Sequence, residues 1–282
     1  MAQVSRALRR TFLQIIPTPL RMRLLENYPN FRKAAPEGMR FVFPSYLGDI
    51  SVNIDTRFKV ERIMWTGMYE PPLMRWLQAQ KLEGWTCLDI GANVGAVTLA
   101  LAKLVGRPGR VVSFEPGPPN LARLHANLAL NPDLMTRVEV IEAGVASEPG
   151  ELWWSEENGN PGNALLGRSG THRIPVIKID DFVAERQIPK IDFMKIDVEG
   201  MELDVVRGAR ETLRRFHPTL YFETLPRYTD TGGGPSFRDM FSFLVGELDY
   251  NLYYLDSRGQ LSQQTPGHHS SYTVAIQKDR KK

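Results

Sequence analysis

The chain has 282 residues, 42% hydrophobic and 24% charged, which suffices for one large hydrophobic core with an added segment. Its single cysteine, Cys87, excludes a disulfide framework and a cysteine-rich zinc site; its apolar flanks mark it as buried and inert, against any cysteine-nucleophile mechanism. The net charge of +3 is uneven: residues 1–40 carry eight Lys/Arg against two acids and residues 278–282 four against one, so the body between them is acidic, a poor match to nucleic acid.

No apolar run approaches the ~20 residues that span a bilayer. After Arg6, Arg9 and Arg10, the stretch 11–17 is too short and interrupted for a secretory segment, and the reading is a cytoplasmic protein. The basic ends read as solvated tails, with peripheral contact to an acidic membrane surface as the alternative. Pro17, Pro19, Pro29 and Pro36 limit helix to short pieces. Residues 40–54 read as short strands around a Gly48-Asp49 turn, and Met68-Tyr-Glu-Pro-Pro72 leads into an amphipathic helix to about Gln80. Residues 1–67 are expected as an extension and 68–282 as the main domain. From Thr86 strands and helices alternate, as in a parallel sheet with crossovers. The strands are expected at 86–90, 110–114, 137–142, 191–196 and 218–224, and the helices at 94–105, 118–131, 201–216 and 236–247. Two further strands close the pattern at 250–255 and 271–277. Residues 155–173, rich in Gly, Asn and Ser, read as a mobile insertion, beside which Trp153 and Trp154 look like an exposed pair able to stack on a sugar ring, or equally like a pair of which one packs in the core.

Leu88-Asp-Ile-Gly-Ala-Asn-Val-Gly95 joins the first strand of this pattern to its first helix. Gly91 and Gly95 permit a tight turn and the close approach of a ligand at the strand's carboxyl edge. Asp89 would repel a pyrophosphate but suits an ammonium, which, with the missing third glycine, disfavours a nicotinamide-dependent oxidoreductase, the alternative reading. Asn93 completes the Asp-x-Gly-x-Asn-x-Gly pattern. About 20 residues on, Phe114-Glu-Pro116 places Glu115 where an acid accepts hydrogen bonds from ribose hydroxyls, with Pro116 beside it.

With this loop, Phe114-Glu-Pro116, Asn127-Leu-Ala-Leu-Asn131 and Lys195-Ile-Asp-Val-Glu-Gly-Met-Glu202, the sequence resembles the FkbM family of methyltransferases over about residues 68–225. The resemblance implies an α/β class I methyltransferase fold, Rossmann-like, with a seven-stranded sheet whose last strand is antiparallel and helices on both faces. It also implies S-adenosyl-L-methionine as donor and, as acceptor, a hydroxyl on a small molecule such as a sugar, glycolipid or polyketide-like compound. A methyltransferase acting on a macromolecule is the other alternative; no Asn/Asp-Pro-Pro-aromatic tetrapeptide follows the fourth strand. A donor-binding module without catalysis is disfavoured by the acidic cluster.

Methyl transfer to a hydroxyl needs alignment, exclusion of water, and a base or a cation that lowers the hydroxyl's pKa. Lys195, Asp197 and Glu199 end the fourth strand and Glu223 ends the next. Asp197 or Glu199 is expected as base, its proton affinity raised by neighbouring carboxylates. The alternative has Asp197 and Glu223 holding a divalent cation. Lys195 reads equally as a neutralising partner beneath the site, and Glu202 as a helix-start acid. Glu70, with Tyr69, is expected to fold over the donor. His268 and His269 are alternative bases from the last loop.

Overall fold

A computed structural model describes Leu20 and residues 38–66, 69–157, 160–167, 169–223, 237–264 and 272–278. The central sheet is built from β3 (Thr86–Ile90), β4 (Arg110–Phe114), β5 (Val138–Ile141), β10 (Phe193–Ile196), β11 (Thr219–Glu223), β12 (Tyr250–Leu255), β13 (Leu261–Gln263) and β14 (Tyr272–Gln277). Their order is β13-β12-β14-β11-β10-β3-β4-β5. Pairing is parallel from β11 to β5, while β14 runs antiparallel between β11 and β12. The sheet thus has the expected seven strands plus one: β13 adds a three-residue antiparallel edge to β12. The chain leaves β3 toward β4 and β5, then returns to β10 on the other side of β3. The carboxyl ends of β3 and β10 therefore form the topological switch point, where open α/β sheets bind ligands.

β3 and β10 are buried at every position, which is why both read as continuous apolar runs broken by Asp89 and Lys195. Two core clusters cover the two faces of the sheet. One contains Val112, Phe114, Met194, Leu203, Val206 and Leu220; the other contains Trp76, Leu77, Val97, Leu101, Phe193 and Tyr221. Cys87 lies in the second, fully buried, and burial pushes its thiol above the ordinary range.

The crossover helices are α1 (Lys59–Thr66), α2 (Pro71–Ala79), α3 (Ala96–Leu104), α4 (Pro118–Ala129), α5 (Pro132–Met135), α6 (Ile179–Glu185), α7 (Glu202–Gly208), α8 (Arg210–Phe216) and α9 (Phe237–Phe241), the last continuing as a π-helix over Ser242–Glu247. The helix expected at 118–131 ends at Ala129, and the one expected at 201–216 is divided. Pro132 starts a new turn at its N1 position, where a proline costs no hydrogen bond, and α7 stops at Ala209.

The hairpin of β1 (Arg40–Tyr46) and β2 (Ile50–Asp55) does not stand apart. Phe43, Tyr46, Ile50, Val52 and Ile54 share a core with Ala92, Val94, Leu99, Leu124 and Leu128. Asn127 and Asn131, the two ends of the Asn-Leu-Ala-Leu-Asn segment, stitch it down. The Asn127 side chain accepts from Asn53 N at 2.8 Å and donates to Val94 O at 2.8 Å, while Asn131 accepts from Ser51 N at 2.9 Å. A side-chain amide supplies both N–H donors and a carbonyl acceptor, the pairing a sheet edge leaves open. Asn127 thus joins the hairpin directly to the loop that follows β3.

The segment expected as a mobile insertion is largely ordered sheet. β6 (Gly144–Val145), β7 (Gly150–Glu157), β8 (Asn160–Gly167) and β9 (His172–Ile177) form a second sheet in the order β6-β9-β7-β8. Leu152 and Trp154 alternate inward against Ile174 and Val176. Trp154 is 1% exposed, so of the two readings the one with a single tryptophan in the core holds: only Trp153 reaches the surface, with the Arg173 guanidinium over its ring.

Candidate active site

A cavity of about 350 Å³ opens at the switch point. Among the described residues, its walls include Gly91, Asn93, Glu115 and Pro116 from the two strand ends, Asp197 and Glu199 after β10, Glu223 at the end of β11, and Glu70 before α2. The cofactor and catalytic candidates Glu70, Gly91, Asn93, Glu115, Pro116, Asp197, Glu199 and Glu223 are therefore brought together. Asp89, Gly95 and Lys195 lie behind this wall and support it. His268 and His269 lie outside the described residues.

The reason Asp89 does not face the cavity is its partners. It is fully buried, accepts from the Thr98 hydroxyl at 2.6 Å, and stands 3.3 Å from the Lys195 ammonium. The expectation that Asp89 meets a ligand's ammonium is corrected: the ammonium it meets is that of Lys195. Lys195, 1% exposed, also donates to Gly91 O at 2.7 Å and lies 3.3 Å from Asp197. Burial works against its charge, but Asp89, Asp197 and Glu70 more than offset this and hold it protonated above the ordinary lysine range. One buried cation thus ties the donor loop to the acid at the end of β10.

Gly91 has φ +81°, and a Cβ there would stand 1.9 Å from the Asp197 carbonyl oxygen. Gly95 has φ +88° and packs against Leu124, which a Cβ would meet at 2.5 Å. Glycine is required at both positions for conformation and for space. Among non-glycine residues with positive φ, Glu70 (39°), Asn93 (52°) and Glu199 (53°) all line the cavity. Each costs about 1 kcal/mol of backbone strain, and such strain gathers at functional sites.

Glu115 is 4% exposed. Its Oε2 accepts from Asn93 N at 2.8 Å; its Oε1 accepts from Gly117 N at 2.8 Å and from the Asn120 amide at 3.2 Å. Burial raises its pKa and these hydrogen bonds oppose the rise. The acid therefore shapes the loop as well as facing the cavity. Glu202 accepts from Val198 N at 3.3 Å and Gly200 N at 3.1 Å, the helix-start role expected for it, while burial pushes its pKa up to about 7.

Glu70 is pushed up to about 8, first by burial and then by Asp197, with Lys195 opposing. Its Oε2 and the Tyr221 hydroxyl are both buried and form no hydrogen bond of ordinary geometry with a described residue, although the hydroxyl stands close enough to favour the ionised carboxyl.

Sequence reasoning missed Lys59, Val60 and Ile63 of α1, Asn120, Ala143 and Tyr272, and it did not place Trp154 in this wall. For α1 a signal was present: Val60, Ile63 and Met64 recur at helical spacing. Trp154 arrives from the second sheet, and its indole fills the space a Cβ on Gly117 would need, 2.7 Å away.

The Methyltransferase FkbM domain family matches residues 89–252, more than half of the chain. The chain belongs to the FkbM methyltransferase family. It is similar to hexuronic acid methyltransferase AglP of Haloferax volcanii, with 27% identity over 146 residues, covering 51% of this chain and 58% of the relative. It is similar also to 2-O-methyltransferase NoeI of Sinorhizobium fredii, with 27% identity over 148 residues, covering 45% of this chain and 58% of the relative. The chain thus spans just under three-fifths of the length of each. Among solved structures it resembles methyltransferase FkbM from Methylobacillus flagellatus KT, with a TM-score of 0.50 and 18% identity, covering 77% of this chain and 54% of that one. That likeness shows the class I methyltransferase fold.

The donor this FkbM domain implies is S-adenosyl-L-methionine, and the residues fit it. Gly91 lines the cavity, Glu115 and Asn120 offer acceptors and donors to a ribose, and the carboxyls suit a cation. No group of three or more His, Cys, Asp or Glu side chains among the described residues is arranged to hold a metal ion. No helix among them is long and apolar enough to cross a membrane.

Proposed function

We propose that this chain transfers the methyl group of S-adenosylmethionine to a hydroxyl of a small molecule, with a sugar or uronic acid as the favoured acceptor class. The observation that carries the reading is that one cavity is lined both by the donor loop with Glu115 and by the carboxyls Asp197, Glu199 and Glu223. The relatives named for methylation of a hexuronic acid and of a 2-hydroxyl support the acceptor class. Bound there, the donor supplies an electrophilic methyl group on a sulfonium. Gly91 and Asn93 give the loop its shape, Glu115 and Asn120 hold the ribose, and Phe114, Val145 and Trp154 exclude water. Asp197 or Glu199 accepts the acceptor's hydroxyl proton. The Lys195 ammonium beside Asp197 already supplies a positive charge, which favours this reading over a divalent cation between Asp197 and Glu223.

The test is transfer of labelled methyl from S-adenosylmethionine to a panel of hexuronic acids and simple glycosides, read by mass spectrometry of the product. A methyl ether on a panel member is expected; transfer to nitrogen or to none of these compounds would contradict the acceptor class. On the accepted compound, Asp197→Asn should lower turnover by ~10²-fold while calorimetric donor affinity stays within about threefold. Chelator should leave the wild-type rate unchanged; loss of rate restored by Mg²⁺ would favour the cation instead.

A further inference from the structure

Of the carboxyls that face the cavity, Asp197 has a counter-ion in Lys195 at 3.3 Å, and Glu115 is held by two backbone N–H groups and an amide. Glu70 has no ion pair with a described residue. Its backbone is held in the left-handed region before α2, and its Oε2 is buried without a hydrogen bond of ordinary geometry to a described residue. The groups that face it are Asp197 and Glu223, the hydroxyls of Tyr221, Tyr69, Tyr46 and Tyr272, and Lys195, whose charge is already shared between Asp89 and Asp197. A strained carboxyl whose buried oxygen makes no hydrogen bond of ordinary geometry is an interaction that a ligand completes. Among neighbours that are mostly acidic, the completing group must be a cation.

The donor carries two cations, and the position of Glu70 separates them. Among the cavity-lining residues, the donor reading puts the ribose at Glu115 and Asn120 and leaves Glu223 and Tyr272 to the acceptor. Glu70 interacts with Asp197, Glu223 and Tyr272, so on the donor reading it lies on the side where the methyl-bearing atom faces the acceptor. An ammonium needs hydrogen-bond acceptors, whereas a sulfonium has no N–H or O–H and is satisfied by charge alone. The buried Oε2, which makes no hydrogen bond of ordinary geometry, can answer either cation, so its place beside Asp197 and Glu223 decides between them.

We propose that Glu70 is the counter-charge of the donor's sulfonium, so that the cavity holds the charged donor and releases the neutral product. This rests on the donor reading above. On transfer, the acceptor oxygen forms its bond to the methyl carbon as the carbon–sulfur bond breaks. The bonding pair stays on sulfur as a neutral thioether, and the hydroxyl proton passes to the base. Glu70 then faces no cation from the ligand, which favours departure of the product. The contact selects between donor and product and adds nothing to the rate of the bond-making step, because the positive charge fades as that step proceeds.

The test is calorimetric and needs no acceptor. S-adenosylmethionine, S-adenosylhomocysteine and sinefungin, which carries an ammonium in place of the sulfonium, are titrated at about pH 8.5 into wild type, Glu70→Gln and Glu70→Asp. All three ligands share the adenosine and the methionine-type ammonium, and only S-adenosylhomocysteine lacks the second cation. Glu70→Gln should weaken S-adenosylmethionine and sinefungin about 10-fold or more and S-adenosylhomocysteine less than about threefold, while Glu70→Asp keeps the wild-type ratio. Equal weakening of all three, whether through the shared ammonium or through the fold, would overturn the proposal, as would no weakening of any. Failure of all three to bind the wild type would instead overturn the donor reading on which the proposal rests.

Discussion

Lys195→Met is expected to lower the unfolding free energy by about 3–5 kcal/mol, because it leaves Asp89 and Asp197 without the ammonium they share in a buried site. Methionine is close in length and fills the space, so the loss reports the charge and the hydrogen bond to Gly91 O rather than a cavity. For a domain of this size the midpoint of thermal unfolding should fall by roughly 10 °C. Part of the loss should return in the double variant Lys195→Met with Asp89→Asn, since that removes a stranded charge; the size of the recovery measures the coupling. A midpoint unchanged in Lys195→Met would show that the three groups do not form one network.

Gly91→Ala should be the most damaging single methyl in the donor loop. Its Cβ would stand 1.9 Å from a backbone oxygen, which no rotamer change relieves, and the backbone at φ +81° adds strain. Gly84→Ala is the matched control: φ is +76° there, yet the nearest atom to a Cβ is 3.9 Å away. The control should cost about 1 kcal/mol, the price of the backbone angle alone. Gly91→Ala should cost at least about twice that and reduce donor affinity at least ~100-fold, read by chemical denaturation and by calorimetry. Equal effects at the two positions would mean that the loop and the segment after β10 do not meet as described.

The elements legible in the sequence were those with local signals. Thr86–Ile90 and Arg110–Phe114 agree residue for residue with the expected strands because each is a buried run bounded by turn residues. The second sheet was not legible. Its edge strand, Asn160–Gly167, is rich in Gly, Asn and Pro, which have low strand propensity, and it is a strand because β7 pairs with it. At the site, the acids at the ends of β4, β10 and β11 could be found because strand ends converge at a switch point. The partner of Asp89 could not: Lys195 lies 106 residues away, and only the adjacency of β3 and β10 puts Asp89 and Lys195 opposite one another. The sequence alone therefore points Asp89 at a ligand, whereas its charge is answered from within the protein. Glu70 shows the converse. Proline at the first turn of α2 marked a helix start, but nothing local reveals that the carboxyl before it is folded into an acidic, enclosed space.

The measurement that tests the central claim most directly is titration calorimetry of the wild-type chain with S-adenosylmethionine and, in parallel, with NAD and NADP. Glu115 and the glycine loop are common to methyl-donor and dinucleotide sites, whereas the carboxyls at Glu70, Asp197 and Glu223 suit a cationic donor and repel a pyrophosphate. Micromolar binding of S-adenosylmethionine at one site per chain is expected, lost in Gly91→Ala, with neither nicotinamide cofactor binding detectably. Binding of NAD or NADP in preference to S-adenosylmethionine would contradict the account.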